Sequence, residues 1–186
     1  MRAKQKVVLG VAIAVLIVLA GGGGWLLRGS RADIKTTAAP QVVKVGVPTI
    51  VTPSELERFA GNHYPVYWAG KRPHTKLELT LTSKDAIFVR YIPHGAKVGD
   101  TTKHLTVGTY GDINGYTALT TAKKRVASVV HGRNGAVITV FKSRPNSTYF
   151  SFKNAGFQVE VFSPRHGVSK RLTDDGSITL VGGGTR

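Results

Sequence analysis

Six histidines stand at 63, 74, 94, 104, 131 and 166, and the stretch His94 to His104 encloses Asp100. An imidazole beside a carboxylate can take up and return a proton near neutral pH. His94, Asp100 and His104 are therefore the candidate acid–base residues of a hydrolase, against the plainer reading of a polar surface loop. No two histidines fall at the three- or four-residue spacing of a local ligand pair, so no metal is expected.

Other chemistries find less. The chain has no cysteine, which excludes disulfides, thiolate metal sites and a cysteine nucleophile. There is no Gly-x-Ser-x-Gly turn and no Ser-x-x-Lys with its partner motifs. Glu55, Glu57, Glu78, Asp85, Asp100, Asp112, Glu160, Asp174 and Asp175 are available for a glycosidase-type carboxylate pair, but most read as caps, turns or wet strand positions. The glycines at 21 to 24 lack the Gly-Lys-Ser/Thr ending of a phosphate loop. Asn146-Ser147-Thr148 fits a short glycosylation sequon. No cofactor is implied.

Charge says more. Twenty-six Lys and Arg oppose ten Asp and Glu, a net +16. The first thirty-five residues hold six of the bases and one acid, so the remainder carries twenty against nine, near +11. Such a field favours anionic partners: lipid head groups, phosphate-rich wall polymer or, less readily, nucleic acid. The candidate contacts are Lys71, Arg72, Lys123, Lys124, Arg125, Arg165, Lys170 and Arg171, with Tyr67 or Trp68 adding contact area. For Lys123 to Arg125 the plainer reading is charge placed to suit a helix end. For the aromatic block Tyr64 to Gly70 it is core or a tight strand.

These residues must be positioned by what surrounds them. Val7 to Leu27 carries no charged side chain. At about 1.5 Å per residue it reaches roughly 30 Å, the hydrocarbon thickness of a bilayer. It reads as a single membrane helix, and the bilayer is the one partner this segment names. Arg2, Lys4 and Lys6 form a cytoplasmic leader (residues 1–6), and the long domain is expected outside. The alternative is a signal peptide cleaved near Ala20. Residues 28–44 lack periodicity and read as a flexible stalk. A globular domain spans 45–182, and 183–186 is a loose tail.

Within that domain Thr52-Pro53-Ser54-Glu55 signals a helix start, predicting a helix over Pro53 to Ala60 that stops at Gly61. Leu77, Leu79 and Leu81 alternate with Lys76, Glu78, Thr80 and Thr82, a strand with one wet face. It returns over Ala86 to Ile92, and Leu105 to Tyr110 follows. Asp112 to Ser128 has helical spacing in Tyr116, Leu119, Ala122 and Val126. Ala136 to Lys142, Thr148 to Lys153 and Phe157 to Ser163 read as a meander, Pro164 to Leu172 as a short basic helix, and Ser177 to Val181 as a last strand. The fold class expected is α+β: one antiparallel sheet of six to seven strands with two or three packed helices.

Several blocks resemble a group of uncharacterised actinobacterial proteins: Val51 to Phe59, Pro65-Val66-Tyr67-Trp68-Ala69-Gly70, Leu77-Glu78-Leu79-Thr80, Val89-Arg90-Tyr91, Leu105 to Tyr110 and Gln158 to Pro164. The resemblance covers most of residues 48 to 181. It implies a single-span anchor with one exported domain, and it brings no activity, cofactor or catalytic residue. The sequence thus leads to an anchored, extracytoplasmic, non-enzymatic module that binds an anionic envelope component or a partner protein. An envelope hydrolase is the alternative and a nucleic-acid binder a weaker one.

Overall fold

The computed structural model describes residues 42–62, 65–122 and 126–183, all within one compact unit, Ala38–Arg186. The expected membrane helix, leader and most of the stalk lie outside the described residues. Among those described, no helix is long and apolar enough to cross a membrane.

Among the described residues ten strands and three α-helices follow in the order β1 (Thr49–Val51), α1 (Pro53–Ala60), β2 (Tyr67–Trp68), β3 (Thr75–Leu81), β4 (Ile87–Pro93), β5 (Thr106–Gly111), α2 (Gly115–Thr121), β6 (Val126–His131), β7 (Val137–Phe141), β8 (Ser147–Ser151), β9 (Phe157–Phe162), α3 (Val168–Asp174) and β10 (Thr179–Leu180). Eight strands form one antiparallel sheet, ordered β1-β3-β4-β5-β9-β8-β7-β6, and β2 pairs with β10 in a separate ribbon. The architecture is α+β as expected, with a wider sheet than the six to seven strands expected. Two strands account for the difference: the three-residue β1, and β6, which occupies part of the expected helix.

α1 has the expected start and end. The Glu55 amide donates to Thr52 Oγ1 (3.2 Å) and the Thr52 amide donates to Glu55 Oε2 (2.7 Å), a reciprocal cap behind Pro53. Leu56 is fully buried beneath it. The β3 leucines pair across to β4 as Leu77↔Tyr91, Leu79↔Val89 and Leu81↔Ile87, and β5 and β9 continue the row with Val107 and Val161. Burying a side chain such as Leu79, which is 0% exposed, contributes about 1.5–3 kcal/mol.

The helix expected over Asp112 to Ser128 is shorter. α2 covers only Gly115–Thr121, and Val126 to His131 is strand. Thr117, Thr120 and Thr121 suit a helix poorly because β-branching restricts their rotamers, and the Thr120 and Thr121 hydroxyls bond back to carbonyls one turn earlier. The valines beyond gain more as an edge strand on β7, in register Val129↔Thr139 and Val130↔Ile138. Asn134 and Gly135, both at positive φ, make the connecting turn.

The helices lie on opposite faces. Leu119 of α2 packs with Val137 and Tyr149 on one, whereas Ser169 of α3 accepts a hydrogen bond from Thr148 (3.2 Å) on the other. α3 packs on β8 and β9. On that face β7 and β6 therefore extend beyond its cover.

Candidate binding groove

The uncovered strip is a groove of about 500 Å³. Its floor is Ile138 of β7 with Phe150 and Phe152 from β8 and the turn after it. One wall is Val130, His131 and Gly132 at the sheet edge, and the other is Lys170, Thr173 and Asp174 of α3, with Ile178 and Tyr67 closing the inner end. The rings hold one another in edge-on and tilted contacts: Tyr67–Phe150 with centroids 5.3 Å apart, Phe150–Phe152 at 6.0 Å and Tyr67–Phe157 at 5.7 Å. Burial pushes the Tyr67 phenol above its ordinary pKa. Lys170 and Asp174, one helical turn apart, form an ion pair at the rim.

The Pro65–Gly70 block is built into this wall. The Ala69 amide donates to Tyr91 Oη (2.6 Å), which donates to the Gly70 carbonyl (3.1 Å), and the Tyr67 amide donates to Thr109 Oγ1 (3.3 Å). Val66 and Ala69 are buried, while Tyr67 and Trp68 are half-buried on the ribbon. The block thus serves the core and also presents Tyr67 to the groove.

Among the basic candidates, Lys170 lines the groove. Arg171 and Arg72 both act on Asp175, whose carboxyl is held below its usual pKa first by the Ser177 hydroxyl and amide and then by these two guanidiniums. Arg72 Nε also donates to the Ala69 carbonyl (3.0 Å). Lys71 and Arg165 are exposed on loops, and Lys123, Lys124 and Arg125 lie outside the described residues.

The acid–base candidates stand apart from the groove. His104 Nε2 lies 3.1 Å from Asp100 Oδ1, so those two do meet. Asp100 also accepts from Arg90 Nη2 (3.2 Å), and Arg90 bridges it to Glu78. His94 is exposed at the end of β4, its amide donating to the His74 carbonyl (3.3 Å). Glu78, expected on a wet strand face, is fully buried instead: the loop after β4 folds back over it, and the Gly99 amide donates to its Oε2 (2.6 Å). Among the described residues, no group of three His, Asp or Glu could hold a metal ion.

A second carboxylate on this same face is Glu160, which accepts from Tyr110 (2.7 Å), Tyr149 (2.8 Å) and Ser147 (2.7 Å), with Arg144 at 3.9 Å. Beside it the Phe88 ring lies over Gly108, and a Cβ there, 2.9 Å from the ring, would make the ring shift. With three hydroxyl donors and a cation, Glu160 is a satisfied structural acid.

Sequence reading missed Ile138, Phe150, Phe152, Thr173, Asp174 and Ile178 as site residues. The available signal was the alternation Ile138–Val140 and Phe150–Phe152, which marks an inward face but cannot tell that the roof stops short of it. No family model, no curated protein and no solved structure matches this chain.

Proposed function

We propose that the chain is a membrane-anchored, extracytoplasmic binding module without catalytic activity, and that its ligand is an anionic envelope component or partner protein that places an apolar group in the groove. The observation that carries this reading is the groove itself: apolar and aromatic inside, polar only at the rim, and of the size usual for a ligand site. The near +11 excess of residues 36–186 supports the anionic character of the ligand.

A water-soluble arene sulfonate tests it. Calorimetric titration of the full chain with naphthalenesulfonate should give saturable heat at one site, with a Kd on the order of 0.1–1 mM. Val130→Trp, which places an indole at the half-open wall, should weaken binding at least tenfold while leaving the melting temperature nearly unchanged. The same ring bearing a trimethylammonium group should bind several-fold more weakly. Absence of saturable heat, or equal heat from Val130→Trp, removes the groove as the site.

The Asp100–His104 contact favours a second reading, an envelope hydrolase. Against it, Asp100 is already engaged by Arg90. Wild type and His104→Ala should therefore release equal, background amounts of soluble fragments from purified cell wall. Release by wild type that His104→Ala lacks, at unchanged melting temperature, would put the hydrolase in place of the binding module.

A further inference from the structure

We infer that the domain rests on an anionic bilayer surface through the β1 edge of its sheet, using the run Val42 to Pro48 and the tip of the loop after β4, and that this seat turns the groove away from the membrane. The seat presupposes the anchor proposed above and adds to it a second surface, distinct from the groove.

The apolar part of this surface is a cluster. Among the described residues eight large apolar side chains stand exposed, and four of them, Val42, Val45, Val47 and Val98, gather at this one place. Val45 bridges to Leu81 at the end of β3, and the Gly46 amide donates to the Leu81 carbonyl (2.7 Å). The Val47 amide closes the turn on the Lys44 carbonyl (3.1 Å). Gly99 of the loop lies against Pro48, where a Cβ would stand 3.5 Å from the proline Cγ, so Val47 and Val98 flank one contact. Val45, Val47 and Val98 are 56%, 48% and 48% exposed although the turn carrying the first two is pinned to the sheet. Single exposed valines need no explanation, but a fixed group of them marks a surface that meets something.

The charge at the same place says what it meets. Lys44 and Lys97 stand exposed beside these valines, and Lys84 stands exposed in the turn after β3. Among the described residues none of the three is in an ion pair. Of the acids nearby, Asp85 is exposed in the same turn as Lys84, whereas Asp100 is engaged by Arg90 and His104 and Glu78 is buried. Free ammonium groups therefore prevail. Exposed apolar side chains framed by such groups fit a head-group layer: the valines enter the boundary with the acyl chains, and the ammoniums meet lipid phosphates. A second copy seated on the same surface would set these ammoniums against their own kind.

The tether brings this surface to the bilayer. Fourteen residues, 28–41, separate Leu27 from Val42. Fully extended they span at most about 50 Å. A surface held so near meets the bilayer at an effective concentration on the order of millimolar, so weak contacts suffice to seat it. β1 and β6 are the two outer strands of the sheet. Seven steps between neighbouring strands, each about 4.8 Å, carry β6 and its groove roughly 30 Å from the seat, where a ligand can reach them.

The test uses the full chain in lipid vesicles. The chain has no cysteine, so Gly95→Cys and Val129→Cys each take a single fluorescent label, one beside the proposed seat and one at the far edge. Gly95 has open space for an added side chain. The vesicles hold phosphatidylglycerol and phosphatidylcholine in about a one-to-two ratio, with spin-labelled head groups in both leaflets as quencher. Quenching at position 95 should exceed that at position 129 at least threefold. Lys44→Glu with Lys97→Glu should bring the ratio near one at unchanged melting temperature, and so should vesicles of phosphatidylcholine alone. If the two labels are quenched alike in anionic vesicles, or if the ratio persists without anionic lipid, the seat is wrong while the anchor stands. If the full chain washes off the vesicles in molar salt, anchor and seat are both wrong. If the label at 95 is shielded in detergent, and more so as protein concentration rises, the valines meet a second copy and not a membrane.

Discussion

Replacing Arg90 by alanine should cost the domain about 3–5 kcal/mol, because it leaves a buried carboxylate without its counter-ion. Glu78 is 0% exposed, and its partners are Arg90 and the Gly99 amide. Arg90 also donates through Nη2 to the Asp100 carbonyl (2.9 Å) and the Thr102 carbonyl (3.0 Å), so its loss releases the loop that covers Glu78. Arg90→Lys should recover little, since one ammonium cannot reach all the acceptors that the guanidinium fork spans, on Glu78, Asp100 and Thr102. The double variant Glu78→Leu, Arg90→Met should regain most of the loss, because a buried ion pair contributes little over apolar residues of similar volume. Urea denaturation of the four proteins decides the matter. An Arg90→Ala variant within about 1 kcal/mol of wild type would mean that Glu78 is not held as a buried anion.

Alkaline pH should unfold the domain steeply, through its tyrosines. Tyr91, Tyr110 and Tyr149 all have phenols raised above their ordinary value, first by burial; Glu160 adds to the rise at Tyr110 and Tyr149 through hydrogen bonds and charge. Below about pH 10 these phenols are neutral in both folded and unfolded chains, and they give stability no pH dependence there. Above it the unfolded chain loses their protons first, so stability falls as pH rises towards the folded values. Each tyrosine contributes a slope of up to about 1.4 kcal/mol per pH unit, and three together about 4 kcal/mol per unit. Urea midpoints measured from about pH 9 to about pH 11 should fall accordingly, with a shallower slope in Tyr91→Phe. A flat profile across that range would show the three phenols ionising as readily folded as unfolded.

What the sequence makes legible is what neighbouring residues decide among themselves. The Thr52–Glu55 cap, the alternation Leu77–Leu79–Leu81 and the three-strand meander of β7, β8 and β9 all need only local spacing, and each stands where the pattern puts it. Glu78 is not legible as buried because its exposure is set by a loop whose Gly99 lies twenty-one residues away, not by its own strand. The stretch 112–128 was misread because a helical period is shared by a short helix and the first valine of a strand, and pairing with β7 outweighs the period. The groove draws its residues from β2, β6, β7, β8 and α3 and the turns beside them, so no single stretch could announce it. Lys170 and Tyr67 were named for charge and aromatic character, and the fold brings those two to one site. Lys71 and Arg165 were named on the same grounds and stay on open loops.

The strand order has a kinetic consequence. β3, β4 and β5 form one run of antiparallel hairpins and β6, β7, β8 and β9 another, and a single seam, β5 against β9, joins them. Within each run the connections are five residues long, apart from the twelve between β4 and β5, whereas Val107 and Val161 across the seam are fifty-four residues apart. Closing so long a loop costs chain entropy before any contact offsets it. The folding barrier therefore belongs at the seam: weakening β5 or β9 slows folding, and weakening the outlying β6 or β1 chiefly speeds unfolding. β6, which carries one wall of the groove, is thus a strand that can loosen and re-form without undoing the nucleus of the domain.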